Sequence, residues 1–467
     1  MGVLRQKALW QANTARKFSV PVNWLAEQIS RLPYELTAAQ QRAVQDIQSD
    51  LVSGRPMNRL LQGDVGSGKT VVAALAALLI AHAGAQSAFM APTSILADQH
   101  YRGLSRLLTE GENAPLQPNQ IRLLIGDTPE AEKTEIRQAL ANGTIKIIVG
   151  THALIEGPVV FQQLQFAIID EQHRFGVAQR ATLRQKGENP HLLVMTATPI
   201  PRSLALTVYG DLDLSIMDEM PKGRLPIETH VVHPLERERA YRLIRKQVDS
   251  GFQAFIIYPL VEQGEDSDEN NAAVQEYERL QAEIFPNYKL GLMHGRLKPE
   301  EKDAGMQEFR TGVTNIMVST SVVEVGVDVP NATVMLIESA NRFGLSQLHQ
   351  FRGRVGRGDA QSFCLLIPDS DAALENERLA VMEETNDGFV LAEKDLEQRG
   401  PGDFLGTRQS GYADLRMAKL TDVHLIENAR RHALQVFETD PNLENPENKM
   451  LASALNDFWG NGQGDVS

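Results

Sequence analysis

The stretch Gln62-Gly63-Asp64-Val65-Gly66-Ser67-Gly68-Lys69-Thr70 constrains the fold more than any other part of this chain. Gly63 and Gly68, four residues between them, then Lys69 and Thr70, match the phosphate-loop pattern in register. Gly63, Gly66 and Gly68 leave room for backbone N–H groups to close around the β- and γ-phosphates, Lys69 supplies a point charge, and the Thr70 hydroxyl can complete a Mg²⁺ shell. A flexible glycine turn ahead of a helix is the alternative. The flanks weigh against it: residues 57–61 form a strand-like apolar run and residues 71–83, rich in Ala, Leu and Val, read as a buried helix. Strand, loop, helix is the order a phosphate site needs.

With 467 residues the chain is too long for one compact core, and two domains with smaller additions are expected. Residues 1–33 carry a helical pattern at Trp24, Leu25 and Ile29 and read as a leader helix. From residue 34 to about 224, apolar runs at 87–90, 145–149, 166–169 and 192–195 alternate with helical stretches, as buried parallel strands do. A linker rich in Pro and Gly follows at 220–226, then a second alternating series with strands expected at 254–258, 289–293, 315–319, 333–337 and 363–367. Both halves are therefore expected to be α/β domains with mostly parallel sheets. The second, 225–369, lacks a phosphate loop, so it is expected to complete a shared site with residues that sense the γ-phosphate. Residues 370–467 turn helical, beginning with a helical hairpin.

Composition excludes several classes. No apolar run reaches bilayer length, and residues 1–20 scatter charges through what would be the core of a signal peptide, so a cytoplasmic chain is expected. The single cysteine, Cys364, sits in the apolar run 362–367 and reads as a core residue; it excludes an internal disulfide, and no zinc-ligand cluster is visible. The net charge of −14 argues against a wholly basic nucleic-acid protein, yet much of it is local, as at 262–269, and a groove can stay positive on an acidic protein.

Further chemistry lies where strands are expected to end. The run 166–169 delivers Asp170 and Glu171; Asp170 can hold the Mg²⁺ hydration shell and Glu171 can polarise the water that attacks the γ-phosphate, an N-capping acid pair being the alternative. The run 192–195 delivers Thr196-Ala197-Thr198-Pro199-Ile200-Pro201-Arg202, small hydroxyl residues suited to relaying loss of the γ-phosphate. Residues 350–358 interleave Arg352, Arg354 and Arg357 with glycines. A solvated basic loop or a nucleic-acid contact is one reading; guanidinium groups neutralising charge on the transferring phosphoryl group is the preferred one, for Arg354 and Arg357.

Seven motifs in order, GDVGSGKT at 63–70, APTSILADQH at 91–100, VGTHALI at 149–155, DEQHRFG at 170–176, TATPIPR at 196–202, STSVVEVGVDVPNAT at 319–333 and QFRGRVGRG at 350–358, resemble those of superfamily 2 helicases. Within them the chain is most similar to the RecG family of bacterial branched-DNA translocases: DEQH runs into RFG, and residues 398–411 resemble the family's translocation element. The resemblance covers about 36–411. It implies two tandem RecA-like lobes using ATP and Mg²⁺, followed by a helical hairpin, and action on duplex and branched DNA such as forks and Holliday junctions.

Matching positions take the family's roles. Gln40 resembles the adenine-reading glutamine, and Asp328 a residue coupling nucleotide to the second lobe. Pro92, Thr93, Gly150, Thr151 and His152 match motifs expected to touch the DNA backbone, and Arg399, Arg408 and Gln409 would turn lobe closure into a step along duplex. The family's wedge domain is not expected in the short leader ahead of Tyr34, so a shortened form is expected, or a motor whose partner, such as a single-strand-binding protein, supplies the wedge. A transcription-repair coupling motor and a non-catalytic ATP-switched scaffold are the rival readings.

Overall fold

Central strands of a parallel sheet are buried on both faces and read as largely apolar runs, as residues 147–149, 166–169 and 254–257 do here, while buried polar residues such as Arg59 and Gln62 stand among them. The computed structural model describes residues 13–171, 177–197, 201, 212–221, 223–259, 269–320, 329–399, 423–440 and 443–458. The chain divides into two units, Met1–Glu219 with Ala392–Ser467, and Met220–Leu391.

The first unit holds a seven-stranded sheet built from β1 (Asn58–Gly63), β2 (Gln86–Met90), β3 (Ile121–Leu124), β4 (Ile147–Gly150), β5 (Leu164–Asp170), β6 (His191–Thr196) and β7 (Asp213–Met217), in the order β3-β4-β2-β5-β6-β1-β7. Every pairing is parallel. All residues of β1, β2, β4, β5 and β6 are buried, because helices cover both faces. One core packs around the helix Lys69–His82, with Leu75, Leu79 and Ile80 against Phe89, Phe166 and Ile168. The leader helix Val22–Ser30 adds Leu25 to that core and lays Trp24 on His82, ring centroids 4.3 Å apart.

Residues ahead of that helix are tied to the amino-terminal ends of the strands, away from the phosphate loop. Arg16 donates to Gln163 Oε1 at 2.8 Å and to the Ala83 carbonyl at 2.9 Å. His191, at the start of β6, accepts the Met57 N–H on Nδ1 at 3.1 Å, and its Nε2 lies 3.1 Å from the Arg16 carbonyl. One nitrogen must accept and the other donate, so the neutral ring is required, and burial pushes its pKa down accordingly.

The second unit has six parallel strands, β8 (Glu228–Val231), β9 (Gln253–Ile257), β10 (Leu290–Met293), β11 (Ile316–Ser319), β12 (Ala332–Glu338) and β13 (Phe363–Ile367), ordered β10-β11-β9-β12-β13-β8. Cys364 is fully buried in β13, and burial pushes its thiol up to about 12, as a core residue and not a nucleophile. Among the described residues after β13, α-helices span Glu377–Glu384, Gly388–Arg399, Val423–Thr439 and Lys449–Phe458.

Strands β3, β7 and β8 were not evident in the sequence. Each stands at a sheet edge and carries a mixed burial pattern, so it has no need of a continuous apolar run. No helix among the described residues is long and apolar enough to cross a membrane.

Candidate nucleotide site

Strand order brings the phosphate loop and the acid pair to one edge of the first sheet. Because β6 lies between β5 and β1, the carboxyl ends Asp170, Thr196 and Gly63 stand side by side, with Asp170 in register with Met195 and Gln62 with Thr196. Adjacent strands are about 4.8 Å apart, so Asp170 and the loop lie about two strand spacings apart, a distance a hydrated cation on a triphosphate can span.

The loop needs its glycines for distinct reasons. A Cβ on Gly63 would come 2.6 Å from Ser67 Oγ and 2.9 Å from the Met217 side chain. Gly66 and Gly68 take φ of 81° and 84°, the left-handed region, and a Cβ on Gly68 would fall on the Gln40 amide. Gly68 caps the helix Lys69–His82 with no side-chain hydrogen bond, leaving first-turn N–H groups for an anion. Ser67 Oγ is buried without a hydrogen-bond partner among the described residues, a polar atom awaiting a ligand. Lys69, 8% exposed, donates to the Gly63 and Asp64 carbonyls, each at 2.8 Å, bonds that a phosphate in the loop would have to replace. With Thr70 next in the helix and a buried carboxylate at Asp170, this donor set fits a triphosphate with Mg²⁺.

Gln40 is buried against the same loop. Its Nε2 donates to the Ser67 carbonyl at 2.9 Å, and its Oε1 accepts the Thr37 N–H at 2.9 Å in a capping box that starts the helix Ala38–Ser53. The glutamine thus braces the loop that it was expected to serve as an adenine reader.

Both oxygens of Asp170 are engaged: Oδ2 lies 2.7 Å from His100 Nε2, and Oδ1 accepts the Glu171 N–H at 3.1 Å. Glu171, one residue past β5, takes φ 55°, a strained conformation for a non-glycine residue of the kind functional sites retain. Its N–H also reaches the Met195 carbonyl at 3.0 Å.

The residues matched to DNA-backbone motifs gather at the neighbouring strand ends. β2 pairs with β4, so Pro92 and Thr93 follow one strand and Gly150, Thr151 and His152 end or follow the other, with the Ala91 N–H on the Gly150 carbonyl at 2.9 Å. Thr93 caps the helix Ser94–Thr109 by accepting the Leu96 N–H at 3.3 Å. His152 is exposed, while Thr151 Oγ1 is buried without a hydrogen-bond partner among the described residues. Gly150 has a packing reason of its own: a Cβ there would meet the Leu124 carbonyl of β3.

In the second unit the arginines separate by environment. Arg352, 2% exposed, donates to the Met382 and Thr385 carbonyls at 2.9 and 2.8 Å and lies 3.1 Å from His349 Nδ1, anchoring the end of the helix Glu377–Glu384. Arg354 is buried in the turn beyond the helix Leu345–Arg352, and Arg357 donates from Nε to the Gly353 carbonyl at 3.1 Å. Arg399 ends the helix Gly388–Arg399. Asp328, Arg408 and Gln409, like Thr198 and Arg202, lie outside the described residues.

His100 and the anchoring role of Arg352 were missed in the sequence. For His100 a signal was there: Leu96, Ala97, Leu104 and Leu108 form the buried stripe of its helix, and a histidine on that stripe calls for a buried partner.

A parallel-sheet unit with a phosphate loop and a strand-end acid pair, followed by a second parallel-sheet unit, defines a two-lobed nucleotide-binding protein of the RecA-like helicase class. Residues 37–207 match the DEAD/DEAH box helicase family and residues 238–359 the helicase conserved C-terminal domain. Residues 385–461 match domain 3, C-terminal, of ATP-dependent DNA helicase RecG. The ATP-dependent DNA helicase RecG of Streptococcus pneumoniae is 45% identical over 97% of this chain and 67% of its own length. That of Synechocystis is 51% identical over 95% of this chain and 53% of its own. A RecG structure bound to a three-way DNA junction superimposes with a TM-score of 0.75 at 47% identity, over 86% of this chain and 52% of that one. The fold alone is shared with Dbp5 of S. cerevisiae, at a TM-score of 0.55 and 17% identity. The chain belongs to the RecG family. It spans about half the length of the Synechocystis and Thermotoga maritima relatives.

Proposed function

We propose that this chain is the motor of a RecG-type, ATP-driven translocase that moves on duplex DNA and acts on branched DNA, forks and Holliday junctions, in recombination and repair. The observation that supports it best is a match to RecG domain 3 at 385–461 on a chain whose first unit carries an intact phosphate loop and acid pair. Residues 34–224 and 225–369 serve as the two lobes, 1–33 as the leader and 370–467 as the hairpin, translocation loop and terminal helices.

Lys69 and the loop N–H groups bind the β- and γ-phosphates, and Glu171 orients the attacking water and takes its proton. Thr70 and Asp170 would hold Mg²⁺, which when bound neutralises charge on the β- and γ-oxygens. Gln40 reads the adenine, Asp328 couples nucleotide to the second lobe, and Arg354 and Arg357 neutralise charge on the phosphoryl group in transfer. Pro92, Thr93, Gly150, Thr151 and His152 grip the DNA backbone, and Arg399, Arg408 and Gln409 convert the cycle into a step. Because phosphate contacts dominate, the grip is salt-dependent and largely blind to sequence. The setting is the bacterial cytoplasm, at the nucleoid, with a partner such as a single-strand-binding protein at the fork. The RecG-specific match beyond the arginine motif disfavours a transcription-repair coupling motor, and intact Lys69 and Glu171 disfavour a non-catalytic switch.

The test is ATP hydrolysis at low salt with and without linear duplex and a model fork, alongside branch migration of the fork. Hydrolysis that rises with DNA is expected; hydrolysis indifferent to DNA removes the translocase reading.

A further inference from the structure

His100 joins two groups of residues that have so far been described apart. It lies on the helix Ser94–Thr109, whose cap is Thr93, directly after Pro92. Its ring is buried, packs on Phe89 of β2 at 4.4 Å between centroids, and places Nε2 2.7 Å from Asp170 Oδ2. A carboxylate oxygen accepts a hydrogen bond, so the tautomer that fits this contact carries its hydrogen on Nε2. The other oxygen accepts the Glu171 N–H. The carboxylate is thus held at both oxygens while each keeps a second lone pair, which is what orienting a metal ligand requires.

The helix between the two ends is stiff. From Thr93 to His100 the axis advances about 10 Å, at about 1.5 Å per residue. Leu96, Ala97, Leu104 and Leu108 hold it in the core, so it can shift only as a body. A movement imposed where Pro92 and Thr93 meet a phosphate backbone therefore arrives at Nε2, and Nε2 holds the carboxylate.

We propose that His100 is the positioning residue that sets the Asp170 carboxylate, and that through it DNA contact at Pro92–Thr93 tunes how tightly Mg²⁺ and nucleotide are held. It rests on the functional reading above, since it assumes that Asp170 faces Mg²⁺ and that the 92–93 loop faces DNA.

The measurement is the Mg²⁺ midpoint for binding of a fluorescent ADP to the full chain at equilibrium, with and without saturating duplex, set beside binding in EDTA. In the wild type, DNA is expected to lower the midpoint about fivefold, the low end of common coupling between sites. His100→Phe keeps a ring for Phe89 and loses the donor. It should raise the DNA-free midpoint about tenfold, the lower bound for losing a bond behind a metal ligand, abolish the DNA effect, and leave binding in EDTA within about twofold. His100→Gln, which restores an N–H, should fall between the two. A merely structural role would weaken binding in EDTA and in Mg²⁺ alike, and that result overturns the proposal. So does a wild-type midpoint unmoved by DNA, a result that needs no variant to fold, and so does a folded His100→Phe that keeps the full DNA effect. Should the Phe ring not be accommodated, His100→Ala takes its place with the same expected shifts. A wild type whose hydrolysis ignores DNA would instead remove the translocase reading, so the two failures are told apart.

Discussion

Gly68→Ala separates backbone strain from crowding at the phosphate loop. With φ at 84°, a side chain here costs about 1–2 kcal/mol from the left-handed conformation alone. The new Cβ would also displace the Gln40 amide, which donates to the Ser67 carbonyl at 2.9 Å, and a lost hydrogen bond of this kind costs about 0.5–1.5 kcal/mol. Together the loss is about 1.5–3.5 kcal/mol. In a Gln40→Ala background the crowding is gone and only the strain remains, so the two substitutions should couple by about 1 kcal/mol, above the ~0.5 kcal/mol error of additivity. Urea unfolding reads this through Trp24, which stacks on His82 at the far end of the phosphate-loop helix, with Trp10 and Trp459 replaced by Phe. If Gly68→Ala destabilises both backgrounds equally, to within about 0.5 kcal/mol, then Gln40 does not brace the loop as argued.

Glu171→Gln should lower ATP turnover by about 10²–10⁴-fold while fluorescent-nucleotide affinity stays within about twofold; unchanged turnover would move the water-activating role to another residue. Arg352→Met should cost about 3 kcal/mol in denaturant unfolding, since it strands the Met382 and Thr385 carbonyls, and Arg352→Lys should recover part of that, because both carbonyls are held by Nη1 alone and one ammonium can replace it, while the Nη2 contact with His349 is lost. His191 is neutral in the fold with a lowered pKa, so its contribution is intact above about pH 6.5 and is lost as pH falls below that value, by up to about 1.4 kcal/mol per pH unit until its folded pKa is reached. Unfolding of the wild type and His191→Gln, compared between pH 7.5 and 5, should show the shallower pH slope in the variant.

The central strands β2, β4, β5, β6, β9, β11, β12 and β13 could be read to within one or two residues, because burial on both faces gives each an apolar run of at least three residues even where a buried polar residue such as Gln86 or Gln253 stands at its end. Of the edge strands, β10 could be read but β3, β7 and β8 could not, since a sheet's rim tolerates polar and exposed side chains and only β10 kept an unbroken run without charged or hydroxyl residues. Nothing in the spacing of the three arginines revealed that Arg352 is buried and spent on the Met382 and Thr385 carbonyls, because those partners lie thirty or more residues further along the chain.

What the sequence determined by itself is the chemistry that contiguous residues can specify. The phosphate loop is such a case: the groups it offers a phosphate are backbone N–H groups and one lysine within eight residues, and the two left-handed glycines are set by local sterics. What only the tertiary structure decided is which distant polar groups share a buried space. His100 and Asp170 are seventy residues apart and meet because β2 pairs with β5, bringing the helix after one strand beside the carboxyl end of the other. Strand order arises from the packing of the whole sheet, and no single segment contains it.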